Sequence, residues 1–135
     1  MEPSPHAGLF HRIGTDVVFI PRIGALFERY GSQFLKRVYT EGEVRYCLAS
    51  AAHRDSRLAG RWAAKEAVTK VLGTGWRGIG YRDIEIVRLA SGEPTIALHA
   101  RAAARVAAYH NLQWQVSFSH DRDYAVATVL LVGSI

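Results

Sequence analysis

The sequence predicts an α+β fold: a mainly antiparallel sheet with one long packed helix. Three observations carry the prediction. A β-branched run, residues 13–20 (IGTDVVFI), comes first. Helical periodicity then dominates residues 21–72. The remainder alternates apolar and polar residues in short runs broken by turn signals, with one alanine-rich segment between them.

The opening run is a strand with one oddity, Asp16 among apolar neighbours. Pro21 ends it and suits the first turn of a helix to residue 30. Ile23, Leu26, Phe27 and Tyr30 give that helix an apolar face, with Arg22 and Arg29 on its polar side. Residues 32–39 form a short amphipathic piece. Thr40 and Glu43 have the spacing of a capping box, which predicts a helix to residue 51. The long helix follows over 56–72 and stops at Gly73. Residues 84–89 and 95–98 read as a hairpin around Ser91-Gly92-Glu93-Pro94. Residues 99–110 are expected to be helical. Residues 114–119 and 124–132 are expected to be strands joined by a charged turn over 120–123.

With 135 residues, one domain is expected: a flexible leader over 1–12 and a single unit over 13–135. The N-terminus lacks a basic segment followed by an apolar run, so no signal peptide is read there. No uncharged run is long enough to span a bilayer as a helix. A cytoplasmic protein with no membrane partner is expected. Cys47 stands alone, which excludes an internal disulfide. The six histidines show no zinc-ligand spacing. A net charge of +5 points to an anionic partner. The basic residues are scattered, without the basic-aromatic clustering of a nucleic-acid surface.

On a helical wheel, Ala59, Ala63, Ala64, Ala67, Val68 and Val71 form a stripe suited to close packing. Trp62, Glu66 and Lys70 share its border. Spacing alone favours an ordinary i,i+4 ion pair between Glu66 and Lys70, contributing about 0.2–0.5 kcal/mol. Asp16 offers another reading. An acid on a strand packed beside this helix would join Glu66 as a carboxylate pair for magnesium, with Lys70 neutralising phosphate. Gly73-Thr74-Gly75-Trp76-Arg77-Gly78 matches G-x-G-x-x-G, but it follows a helix C-terminus, where the dipole disfavours anions. Arg61 and His120 taken singly are a solvated helix residue and a strand-end histidine.

Several segments together resemble the bacterial holo-acyl carrier protein synthases, the small trimeric class of 4′-phosphopantetheinyl transferase. They are GTD at 14–16, FLKRVYTEGE at 34–43, GRWAAKEA at 60–67 with Lys70, and GTG at 73–75. DIEI at 83–86, GEP at 92–94 and VSFSH at 116–120 complete the set. The resemblance implies a 4′-phosphopantetheinyl transferase fold and a homotrimer with active sites between subunits. It implies Mg2+-dependent transfer of the phosphopantetheine arm of coenzyme A to a serine of apo acyl carrier protein, releasing adenosine 3′,5′-bisphosphate. The carrier would belong to fatty-acid or polyketide synthesis.

By the same resemblance, Asp16 and Glu66 hold magnesium and Lys70 meets phosphate. Glu66 takes the serine proton, directly or through water. Arg61, His120, Gly92 and Pro94 contact coenzyme A. Arg22, Leu26, Arg29 and Phe34 dock the carrier, and the basic pI of about 9.7 suits an acidic one. Phe19 stands where the family often has a second acid, and Trp62 where it has phenylalanine. A non-catalytic carrier- or nucleotide-binding relative of the same fold is the alternative. The presence of Asp16, Glu66 and Lys70 together speaks against it.

Overall fold

The computed structural model describes residues 8–135. Residues 1–7 of the expected leader lie outside the described residues. Strand β1 (Leu9–Phe19) begins earlier than residue 13, so Leu9–Arg12 are strand and not leader. The reason lies at the other end of the chain. Strand β5 (Tyr124–Ser134) runs to Ser134 and pairs with β1 from Leu9↔Ser134 to Phe19↔Tyr124. That partner cannot be read from the polar stretch His11-Arg12.

Helix α1 (Ile20–Tyr30) carries Pro21 in its first turn, as expected. Helices α2 (Ser32–Val38) and α3 (Glu41–Leu48) follow. The Thr40–Glu43 capping box is formed, although α3 stops before residue 51. Helix α4 (Arg54–Leu72) ends at Gly73, whose φ of 75° is left-handed and suits glycine. Strands β2 (Ile84–Arg88) and β3 (Pro94–Leu98) form the expected hairpin. The alanine-rich helix α5 (Ala100–Arg105) is shorter than expected: residues 106–109 turn the chain, and strand β4 (His110–Asp121) takes over at His110. The turn between β4 and β5 is also tighter than expected. Asp121 pairs with Tyr124, leaving only Arg122 and Asp123 between the strands.

The strands form two sheets. One is a three-stranded antiparallel sheet in the order β1-β5-β4, and the other is the β2-β3 hairpin. Helix α4 lies across the inner face of the larger sheet. Its alanines, Ala59, Ala63, Ala64 and Ala67, are fully buried. Gly14 sets how close strand and helix come. A Cβ there would stand 2.2 Å from the carbonyl oxygen of Ala67. Gly14, Asp16 and Val18 share one side of the pleat, so Asp16 faces the helix. The opposite side of β1 is apolar and uncovered, with Ile13 at 70% exposure and Val17 at 59%.

Lys65 is fully buried and ties α4 to the other sheet. Its Nζ donates to Glu43 Oε1 at 2.8 Å, to the Tyr81 carbonyl at 3.0 Å and to the Ile84 carbonyl. Glu43 is equally occupied. Its Oε1 also accepts from the Thr40 amide and its Oε2 from the Ile86 amide. All three ammonium protons thus have acceptors, which is the condition under which a buried ion pair is tolerated. Burial alone pulls the lysine below its ordinary pKa, and Glu43 opposes that shift. Replacing Lys65 by Met strands the Glu43 carboxylate. Urea unfolding is expected to show a loss of about 3–5 kcal/mol.

Candidate active site

Asp16 and Lys70 meet where β1 crosses α4, with Glu66 one helical turn before Lys70. Lys70 does not pair with Glu66 one turn before it. Its Nζ reaches across to Asp16 Oδ1 at 3.2 Å and the Thr15 carbonyl at 2.7 Å. The local ion pair that spacing favoured is therefore replaced by one joining strand and helix. The close approach at Gly14 brings this pair within reach.

Glu66 has other partners. Trp76 Nε1 donates to its Oε2 at 3.0 Å, and the Tyr81 hydroxyl lies 3.5 Å from its Oε1. Burial, followed by the charge of Glu66, holds the Tyr81 phenol above its ordinary pKa, so it remains a donor at neutral pH. Trp76 and Tyr81 stack with ring centroids 4.0 Å apart. Tyr81 stacks in turn on Trp62, and Trp62 packs near Phe34. Trp62 is thus part of an aromatic row beside Glu66.

Arg61, His120, Gly92 and Pro94 line a separate cavity of about 340 Å³. Asp16, Glu66 and Lys70 do not contribute to it. Helix geometry accounts for the division: Arg61 and Glu66 are five residues apart, about 140° around the helix. The cavity is strongly basic. Arg57 and Arg88 line it as well, and the guanidinium groups of Arg57, Arg61 and Arg88 lie 4.1, 4.2 and 4.5 Å from the Tyr46 ring centroid. The electron-rich ring face lets three like charges gather. Gly60 admits Phe118, whose ring also lies near Arg61. Arg61 is 6% exposed and its Nε has no hydrogen-bond partner. Burial lowers its pKa.

Arg57 was visible in the sequence one helical turn before Arg61. Nothing local signalled Arg88, Tyr46, Trp76 or Tyr81. Cys47 is buried, and burial pushes its thiol up to about 12, which removes it from thiolate chemistry.

On α1, Arg22 and Arg29 are exposed and Leu26 is half-buried. Phe34 is only 7% exposed, so it forms the floor of a surface and not a projecting contact. Leu26, Phe34, Arg37, Trp62 and Tyr81 line an open pocket of about 440 Å³. Of the docking candidates, Leu26 and Phe34 thus adjoin the aromatic row that ends at Glu66.

With this geometry in hand, comparison with known proteins is specific. The family model for the 4'-phosphopantetheinyl transferase superfamily matches residues 12–129. The chain belongs to this superfamily. It is 73% identical over 123 residues to a holo-[acyl-carrier-protein] synthase of Gloeobacter violaceus, covering 91% of this chain and 93% of the relative. A holo-[acyl-carrier-protein] synthase of Koribacter versatilis is 43% identical, covering 87% and 94%. Among solved structures, the Helicobacter pylori holo-[acyl-carrier-protein] synthase in complex with coenzyme A is similar with a TM-score of 0.75 and 31% identity. That match covers 88% of this chain and 98% of the other. This member of the superfamily has no helix, among the described residues, long and apolar enough to cross a membrane.

The Asp16–Lys70 pair is partly solvated, with side-chain exposures of 22% and 55%. Such pairs contribute at most about 1 kcal/mol. Asp16→Asn is therefore expected to change metal-free urea stability by less than about 1 kcal/mol. A larger loss would show that Asp16 serves the fold itself.

Proposed function

We propose that the chain transfers the 4′-phosphopantetheine arm of coenzyme A to a serine hydroxyl of apo acyl carrier protein, in the cytoplasm. Adenosine 3′,5′-bisphosphate is the second product. The observation that carries this reading is Asp16 tied to Lys70 one turn beyond Glu66, in a chain 73% identical to a holo-[acyl-carrier-protein] synthase.

The residues fit a magnesium ion. Asp16 and Glu66 offer hard carboxylate oxygens. No group of three or more His, Cys, Asp or Glu side chains that could hold a metal occurs among the described residues. Two protein carboxylates completed by substrate phosphates and water suit magnesium better than a metal that demands a full protein cage. Each carboxylate keeps free lone pairs beside its present donors. Asp16 and Glu66 would hold the ion, which when bound supplies positive charge to the pyrophosphate.

The chain's own groups account for the remaining steps. The serine oxygen attacks the phosphorus that bears the pantetheine arm, and the bond from that phosphorus to the adenosine-side phosphate breaks. Glu66 receives the serine proton, and Lys70 neutralises charge on the phosphates. The Arg57–Arg61–Arg88 cavity takes the adenosine phosphates. The unpartnered Nε of buried Arg61 supports an anion there. His120, Gly92 and Pro94 flank the nucleotide in the same cavity.

One coenzyme A draws on two copies of the chain in a homotrimer. Two features support this. The nucleotide cavity and the Asp16–Glu66–Lys70 cluster face different ways from α4, and the outer face of β1 is apolar and uncovered. An acidic carrier docks on Arg22, Arg29 and Leu26, over the floor made by Phe34. Its serine then lies beside the aromatic row and Glu66.

Incubation with coenzyme A, Mg2+ and apo carrier is expected to increase the carrier's mass by one phosphopantetheine group, read by intact-mass spectrometry. Glu66→Gln is expected to reduce the rate by about 10²–10⁴-fold without loss of fold. An unmodified carrier with the wild-type protein would sink the assignment. Reversing Arg22 and Arg29 to Glu is expected to raise the KM for carrier, with that for coenzyme A unchanged. Equal effects on both would place the docking surface elsewhere.

A further inference from the structure

We infer that Trp76 and Tyr81 are positioning residues that hold Glu66 in the rotamer needed to ligate the metal, an inference that rests on the function proposed above. Glu66 is half-buried on α4, and each of its carboxylate oxygens faces one protein donor. Those donors are Trp76 Nε1 at 3.0 Å from Oε2 and the Tyr81 hydroxyl at 3.5 Å from Oε1. Neither donor belongs to α4. Trp76 comes from the loop after Gly73, and Tyr81 from the single 3₁₀ turn before β2.

Three considerations make this more than incidental contact. First, glutamate has several rotatable bonds, and Lys70 stands one turn ahead as a competing partner at the favourable i,i+4 spacing. In the structure Glu66 bonds Trp76 and Tyr81, and Lys70 pairs with Asp16. The two aromatic donors are the groups that compensate Glu66 for that lost pairing.

Second, the donors themselves are braced. Their rings lie 4.0 Å apart, and Tyr81 stacks on Trp62 at 5.1 Å. The Tyr81 backbone carbonyl accepts from buried Lys65, the residue just before Glu66. Tyr81 is therefore tied to α4 through its backbone as well as its hydroxyl. Third, two donors occupy only half of a carboxylate's acceptor capacity, so they orient the group without blocking it. Such supporting hydrogen bonds to a ligand typically alter metal affinity by about 10–100-fold when removed.

The test uses Trp76→Phe, Tyr81→Phe and the double variant, each of which retains an aromatic ring but loses the donor. Near-ultraviolet circular dichroism checks that the aromatic row persists. Mn2+, a paramagnetic probe of the magnesium site, is titrated into the full-length protein and free ion is read by electron paramagnetic resonance. Each single variant is expected to bind Mn2+ about 10-fold more weakly, and the double variant more weakly still. Activity at low Mg2+ is expected to fall and to recover when Mg2+ is raised about 10-fold, because the loss is one of metal affinity.

Mn2+ affinity unchanged from wild type in both single variants and the double variant would overturn the inference and leave the proposed function standing. A loss of activity that added Mg2+ does not restore would also overturn it, since that pattern indicates general damage to the site. Wild-type protein that neither binds Mn2+ nor modifies apo carrier would overturn the proposed function, and this inference with it.

Discussion

The fold depends on a buried ammonium. Lys65 lies inside the chain with no water to solvate it, so its three protons must find protein acceptors. They find Glu43 in the first turn of α3 and the carbonyls of Tyr81 and Ile84 at the start of the β2-β3 hairpin. Glu43 in turn caps α3 through Thr40 and accepts the Ile86 amide of β2. One charge pair therefore fixes α3, α4 and the hairpin in mutual register. Hydrophobic contacts, which are non-directional, would fix their mutual register less tightly.

The site inherits its geometry from that constraint. Glu66 follows Lys65 directly, about 100° further around the helix. While Lys65 is anchored inward, Glu66 is committed to the border of the helix where Trp76 and Tyr81 can reach it. On the sheet side, Gly14 admits α4 close enough for Lys70 to meet Asp16. The backbone approach, the inward lysine, the Asp16–Lys70 pair and the braced Glu66 form one connected arrangement.

The basic cavity obeys a different rule. Three guanidinium groups gather on Tyr46, with Arg61 buried beneath them. Repulsion between like charges is offset by the ring face, and an anion bound there, as proposed above, would relieve it further. The cavity and the carboxylate cluster use opposite borders of α4. Under the proposed function, nucleotide recognition and phosphoryl transfer would then fall on different surfaces of one chain, as the proposed homotrimer with shared sites requires.

By itself the sequence determined the local elements and the chemistry-bearing residues. Pro21, the Thr40–Glu43 capping box and Gly73 mark helix ends through interactions within a few residues, so they were legible. Asp16 stood out because an acid is unexpected in an apolar strand, and the GRWAAKEA segment with Lys70 marked the helix. Tertiary structure alone decided which partners these residues take. Lys70 bonds Asp16 and not Glu66, Glu66 is held by Trp76 and Tyr81, and β1 gains Leu9–Arg12 from its pairing with β5. The two-residue turn before β5 follows from the β4–β5 pairing. The physical reason is sequence separation. The Lys70–Asp16, Glu66–Trp76, Glu66–Tyr81 and β1–β5 contacts each join residues ten or more positions apart, where local propensity carries no information and only the packed backbone sets who is within reach.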